Sequence, residues 1–362
     1  MRVYIFILTV DIILSSVGFI YLYKNFSWTR NMLFLLVYLL LTLNTVACRA
    51  LSPDLPLWFT RLSAWLSGQW IALMYYILLL SMGHLLLYFA GKAGGFNLPH
   101  TKIASYALAA IVCFIGWGTY RAMHPVVRTE NITTSKLPAG KNYKIVFLTD
   151  LHLGQVLGRD YSEKLLAKVN EQQADLILIS GDILDEKQRY IDRENSLEPL
   201  SHLSAKQGVY MAFGNHDYLD QPETWERRLE KNSIHVLRDK YVVLDGCLKL
   251  AGVNDWSRSK SSHEIISLSK DNERYYSILM DHQPRRMPVA SQAGYDLYLA
   301  GHTHTGQLKP NRQITKRMYL LDYGRADFGK MTAITNNGYG FWGPPVRTEE
   351  APEMVIINLQ GK

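Results

Sequence analysis

Residues 297–304 read Leu-Tyr-Leu-Ala-Gly-His-Thr-His, an apolar strand-like run that breaks at a glycine into two histidines two apart. Histidines at that spacing in a loop after a strand rarely serve packing, so the stretch points to a metal or catalytic centre. Four earlier runs end the same way. Tyr276–Met280 (YSILM) is followed by Asp281-His282, and Val209–Phe213 (VYMAF) by Gly214-Asn215-His216-Asp217. Leu176–Ser180 (LILIS) runs into Gly181-Asp182, and Lys144–Thr149 (KIVFLT) into Asp150-Leu151-His152. Between the first two of these in chain order, Tyr161–Gln173 has Leu165, Leu166 and Val169 on one helical face. Strands alternating with helices predict an α/β fold, and in open α/β sheets sites gather beyond the carboxyl ends of the strands. Gly181, Gly214 and Gly301 permit the tight turns needed there.

Singly, most of these signals are weak. Gly-Asp after a strand usually marks a turn, and an Asx-type turn would explain Asn215 without explaining His216. His282 alone would pass for an ordinary polar residue. Five strand ends carrying such side chains in succession are another matter. Two aspartates, an asparagine and four histidines exceed the needs of one tetrahedral ion and suit two ions sharing a carboxylate, the arrangement used for in-line displacement at phosphorus. Mixed nitrogen and oxygen donors favour Mn²⁺, Fe or Zn²⁺ over Mg²⁺ and Ca²⁺. With three cysteines in 362 residues, a thiolate site and a disulfide scaffold are both excluded; Cys247 reads as a lone buried thiol.

The series DLH, GD, GNHD, a lone H and GHTH resembles the signature of the calcineurin-like metallophosphoesterase superfamily, from about Lys144 to the C-terminus. Within it, Gly301–Gln307 (GHTHTGQ) and Trp342–Arg347 (WGPPVR) resemble the bacterial YkuE/YaeI-type phosphoesterases, some of which carry N-terminal membrane helices. The resemblance implies a four-layer αββα sandwich over 144–362 and two metal sets. One would comprise Asp150, His152, Asp182 and His304; the other Asp182, Asn215, His282 and His302, with Asp182 bridging. It further implies attack of a metal-bound hydroxide on phosphorus. His216 would stabilise the transition-state charge or protonate the leaving oxygen, with Asp217 orienting it. Tyr339–Pro345 would form a wall near the metals. Asn254-Asp255-Trp256 could border the pocket or simply make a turn.

The N-terminal third is of another kind. Four apolar stretches approach the ~20 residues that span a bilayer: Val3–Tyr23, Met32–Cys48, Trp70–Ala90 and Ile103–Tyr120. Residues 1–120 therefore read as a bundle of about four transmembrane helices, the first retained rather than cleaved as a signal peptide. Aromatic residues such as Trp28, Trp65 and Trp117 lie near the span ends, where such rings favour the interface. Asp11 and His84 fall inside apolar runs, as functional groups or as glue between helices. Residues 121–143 read as a basic linker, with five Lys/Arg from Arg121 to Lys144 against Glu130. Four spans leave the phosphoesterase on the side of the N-terminus, and the spread of Lys and Arg leans towards the cytoplasmic face of a bacterial inner (plasma) membrane.

The net charge of +7 is modest, and no nucleic-acid module accompanies it. The expected activity is two-metal hydrolysis of a phosphodiester, phosphomonoester or pyrophosphate, the membrane half favouring a lipid-linked or envelope-precursor substrate. Other readings are a phosphatase of soluble or protein substrates tethered for location, a non-enzymatic metal-binding membrane sensor, and a nucleic-acid phosphodiesterase. Oligomeric state leaves no trace in the sequence.

Overall fold

A computed structural model describes residues 2–50, 55–185 and 187–362, without the side chains of 2–8 and 48–50. The side chains of Arg2, Cys48 and Arg49 thus lie outside the description. The chain divides into two compact units, one of residues 1–121 with 343–348, the other of 122–342 with 349–362.

The first unit is helical: α1 (Arg2–Asn25), α2 (Met32–Ala50), α3 (Leu57–Gly94) and α4 (His100–Ala122). Each expected span falls within one of these helices. Among the described residues, however, only α3 and α4 are long and apolar enough to cross a membrane. The apolar part of α2, Met32–Ala47, is shorter. In contrast, α3 overruns its expected span because apolarity continues back to Leu57; its 38 residues make about 57 Å at 1.5 Å per residue. Packing centres on Tyr38, Trp70, Met74 and Ile77. Tyr38 donates its hydroxyl to the Ser15 carbonyl at 2.5 Å and meets Trp70 edge-on at 4.7 Å. His84 bonds Tyr21 Oη at 3.0 Å through Nδ1 and His100 Nδ1 at 2.8 Å through Nε2, joining three helices as glue. Asp11 is also buried. Residues 343–348 join this unit, with Tyr76 Oη 2.6 Å from Thr348 Oγ1 and the Arg347 N–H on the Gly118 carbonyl.

The second unit opens with β1 (Val126–Thr134) and β2 (Asn142–Leu148). There follow α5 (Arg159–Asn170), β3 (Leu176–Ser180), α6 (Gln188–Glu194), β4 (Val209–Ala212), α7 (Pro222–Lys231), β5 (Ile234–Val236), β6 (Lys240–Leu244) and β7 (Leu248–Gly252). The chain ends with α8 (His263–Ser267), β8 (Tyr276–Met280), α9 (Met287–Gln292), β9 (Leu297–Ala300), α10 (Arg312–Met318), β10 (Gly324–Phe328), β11 (Met331–Thr335) and β12 (Glu353–Gly361). They form two six-stranded mixed sheets, ordered β1-β12-β2-β3-β4-β5 and β10-β11-β9-β8-β7-β6.

Side-chain alternation decides the layers. In β2, Ile145 and Phe147 pack with Leu250, Ile278 and Leu299 of the other sheet, whereas Val146 and Leu148 pack outward with Leu165 of α5. The second sheet likewise buries Leu279 and Tyr298 with Met287 of α9. Strands covered on both faces must be apolar throughout, which is why these runs showed no polar alternation. The segment 121–143, expected as a linker, instead carries β1, which runs parallel to β12 over its whole length. Its polar side chains, Arg128, Thr129, Glu130 and Asn131 among them, alternate between the two faces and stay partly or fully exposed on this edge strand, so composition hid the pairing.

Candidate metal centre

Every strand-end motif leaves its sheet through the same opening. The centre rests on residues held in the left-handed backbone region: Asp150 (φ 53°), His152 (49°), Asp182 (56°), His302 (71°) and His304 (45°). Such conformations cost of order 1–3 kcal/mol each outside glycine and cluster where a site is held against strain. Gly301 shows why glycine ends β9: a Cβ there would strike Thr149 Oγ1 and Asp150 Oδ2. At Gly214 a Cβ would meet the Asp182 carboxylate.

Three overlapping groups of potential ligands result: Asp150, His152 and His304; His152, Asp182 and His216; and Asp182, His282 and His302. Each aspartate spends one oxygen on the backbone and turns the other to imidazoles. Asp150 Oδ2 accepts from Thr149 Oγ1 at 2.7 Å and the His302 N–H at 2.9 Å, leaving Oδ1 3.4 Å from His304 Nε2. Asp182 Oδ1 accepts the His216 N–H at 2.8 Å, while Oδ2 lies 3.1 Å from His282 Nε2 and 4.0 Å from His152 Nε2. Asp182 therefore stands between the first and third groups. His282 Nδ1 donates to the Ser180 carbonyl at 2.7 Å, which fixes the tautomer that points Nε2 inward. Among the described residues, buried Asp150 Oδ1 and Asn215 Oδ1 have no hydrogen-bond partner. Unpaired buried acceptors are costly unless a cation completes them, so the residues present fit divalent metals.

Burial disfavours charge here, but the opposing groups outweigh it. His304 and His282 hold Asp150 well below the usual carboxylate range, and His282 and His216 do the same for Asp182. His152 is pushed up to about 10, as its carboxylate neighbours Asp150 and Asp185 overcome burial. His302 is lowered to about 4, by burial and then by the neighbouring His282.

One expectation changes. The Asp217 carboxylate does not touch the His216 ring. It accepts N–H groups from Asp182 (2.7 Å), Gly214 (2.8 Å) and Leu184 (3.2 Å), with the Trp225 indole at 3.3 Å. It ties the GD and GNHD loops together, and burial beside Asp182 pushes it up to about 7 against those donors. The ring of His216 is held by Asp185, through Nδ1 on the carbonyl oxygen at 2.5 Å, and Asp185 Oδ1 also bonds His152 Nδ1 at 3.1 Å. The sequence reading passed over Asp185; its only signal was a carboxylate three residues after Asp182 in the same loop.

Around the centre, Trp342 lies 6.1 Å ring to ring from His216, its backbone clamped by the Gln307 side chain (2.8 and 3.1 Å). Gly338 and Gly340 approach Asp150. The expected wall thus comprises residues up to 342, whereas 343–345 belong to the helical unit. In the stretch Asn254-Asp255-Trp256, the Asn254 N–H bonds Asp239 at 2.9 Å and its carbonyl accepts from Arg286 at 2.8 Å, while the buried Asp255 charge acts on His282 and His302.

Two facing mixed sheets with a histidine–carboxylate centre at their strand ends define a metal-dependent phosphoester hydrolase of the calcineurin-like type. The sequence pattern of the calcineurin-like phosphoesterase family matches residues 143–306. The uncharacterized metallophosphoesterase YkoQ of Bacillus subtilis is 30% identical over 273 residues, covering 72% of this chain and 99% of that protein. An uncharacterized metallophosphoesterase of Campylobacter jejuni is 32% identical over 244 residues, 66% of this chain but 64% of its own length. A Danio rerio transmembrane protein with metallophosphoesterase domain is 27% identical over 354 residues, covering 90% of this chain and 79% of that one. This chain belongs to the calcineurin-like metallophosphoesterase family.

Proposed function

We propose that the chain is a membrane-anchored, two-metal phosphoesterase that hydrolyses a phosphodiester, phosphomonoester or pyrophosphate, lipid-linked or an envelope precursor. The observation that carries the reading is Asp182 standing between two histidine groups, one with Asp150, His152 and His304, the other with His282 and His302. Asn215, with its buried unpartnered oxygen, completes the second set. Two divalent ions, Mn²⁺ foremost, with Fe or Zn²⁺ as alternatives, would supply Lewis-acid charge and an activated water when bound.

The chain's own residues do the rest. His216, with Nδ1 held on the Asp185 carbonyl, keeps Nε2 for the phosphate and can carry charge or a proton to the leaving oxygen. Asp185 positions both His216 and His152. Asp217 fixes the two loops that present Asp182 and Asn215.

Helices α3 and α4 support the anchor. An even number of spans, two or four, leaves the phosphoesterase unit on the side of the N-terminus, and the Lys/Arg balance favours the cytoplasmic face of the plasma membrane. Should the anchor serve location alone, the substrate is a soluble or protein phosphoester. The test is hydrolysis by the full-length protein with Mn²⁺, comparing bis-p-nitrophenyl phosphate, p-nitrophenyl phosphate and a lipid-linked pyrophosphate, with Asp182→Ala as control. Metal-dependent turnover that Asp182→Ala abolishes is expected, with preference for the lipid substrate. Preference for the soluble esters selects the tethered-phosphatase reading, and no turnover rejects both.

A further inference from the structure

A soluble unit usually scatters its exposed apolar side chains singly. Here several gather at the rim of the metal centre. Leu219 (58% exposed) lies three residues past His216, its N–H on the His216 carbonyl. Trp342 (52% exposed) meets the His216 ring. Tyr319 packs 5.9 Å from the His302 ring, and the next residue, Leu320, is 64% exposed. Ile314 (56%) and Met318 (53%) stand one turn apart on α10, which runs into Tyr319. None of the side chains of α10 is buried, so this helix and its C-terminal extension present an apolar strip leading to the metal centre.

The segment that carries the strip is itself charged with one sign, although Asp322, Glu349 and Glu350 reach Arg312 and Thr315 at the other end of α10. Residues 307–321 hold four Lys or Arg and no acid. Arg312 is paired with Asp322 and Glu350, but among the described residues Lys316 and Arg317 make no ion pair. Arg285 stacks 4.6 Å over the Tyr319 ring and donates to its hydroxyl at 3.2 Å, bringing a further cation to the His302 side. An apolar strip flanked by cations and ending at a phosphate-directed centre complements one chemistry, an anionic head on a hydrocarbon tail.

We propose that the strip Ile314–Met318–Leu320 binds the hydrocarbon portion of an amphiphilic phosphoester, with Lys316, Arg317 and Arg285 attracting its anionic head. The proposal rests on the phosphoesterase reading and names the part of the rim that selects its substrate. Full burial of a methylene is worth ~0.8 kcal/mol, about fourfold in affinity, so even shallow seating of several gives a measurable gradient.

The test uses the full chain in zwitterionic nanodiscs with Mn²⁺ and p-nitrophenyl ethyl, butyl, hexyl and octyl phosphates. In the wild type, KM should fall about tenfold or more from ethyl to octyl while kcat holds steady. The double variant Leu320→Ser/Met318→Ser should keep the ethyl-ester kcat and KM and lose most of that gradient; Leu320→Ala should lose part of it. A wild-type KM independent of chain length overturns the proposal, as does an unaltered gradient in Leu320→Ala. A gradient kept in the double variant together with lost turnover of a bilayer-embedded ester would make the strip a membrane-facing surface, which also overturns it. Turnover of the ethyl ester separates these outcomes from failure of the phosphoesterase reading: without any, both fall.

Discussion

At the residue scale, the His216 ring has Nδ1 committed to the Asp185 carbonyl, and the proposed function assigns Nε2 to the phosphate. His216→Ala should lower kcat by about 10²–10⁴-fold with metal content unchanged, as read by mass spectrometry of the purified protein. Asp185→Asn weakens the side-chain bond to His152 and leaves the backbone carbonyl on His216 in place, so a drop of about 10–100-fold in metal affinity is expected. Unchanged metal content in that variant would remove the Asp185 carboxylate from the support of His152. The His152 ring, raised from 6.5 to about 10, adds a pH dependence. In the metal-free protein its pairing stabilises the fold fully below about 6.5, and that contribution fades as pH rises through about 10. A cation must displace this proton, so Mn²⁺ affinity should climb with pH from 6.5 towards 10. Calorimetry in two buffers of different ionisation enthalpy would detect the released proton, and pH-independent affinity would contradict it.

At the scale of elements, the loop between β8 and α9 is held by a buried ion pair. Arg286 bonds both oxygens of Asp281 at 2.7 and 2.9 Å, and Tyr298 Oη of β9 adds a third bond at 2.6 Å. His282 follows directly on Asp281, so this pair sets where β8 delivers its ligand. Arg286→Leu leaves a buried carboxylate without its cation, and a loss of roughly 3–5 kcal/mol is expected. A melting temperature within a degree of wild type would show Asp281 to be compensated elsewhere. Gly301→Ala acts through geometry, driving a methyl into Thr149 and Asp150; lost metal with the fold retained is the outcome to look for by circular dichroism and metal analysis.

For the whole molecule, the two units make different demands on solvent. The second builds its core between and outside two sheets; the first leaves many large apolar side chains exposed along α2, α3 and α4. Water does not tolerate such a surface, whereas hydrocarbon does. The full-length chain should therefore stay in the membrane pellet after alkaline carbonate washing. Release into the supernatant would reject the anchor and leave those helices needing a protein partner.

The strand-end residues Asp150, His152, Asp182, Asn215, His216, His282, His302 and His304 were legible because each is fixed locally: an apolar run stops, and a polar side chain must leave the sheet at that point. The length and apolarity of α3 and α4 were legible for a similar reason, since apolarity over a stretch needs no partner to be noticed. Other features depend on where side chains meet after folding. Asp217 turned to backbone N–H groups and Asp185 took its expected task, because hydrogen-bond direction is set by how two loops cross. The pairing of β1 with β12 joins opposite ends of the unit, and the apolar strip on α10 acquires meaning only through Tyr319 beside His302. By itself the sequence determined the α/β character, the ligand types and the apolar helices, because periodicity and local chemistry are properties of neighbours along the chain. Only the tertiary structure decided which carboxylate orients which histidine, and what borders the site, because those relations arise between residues that folding alone brings together.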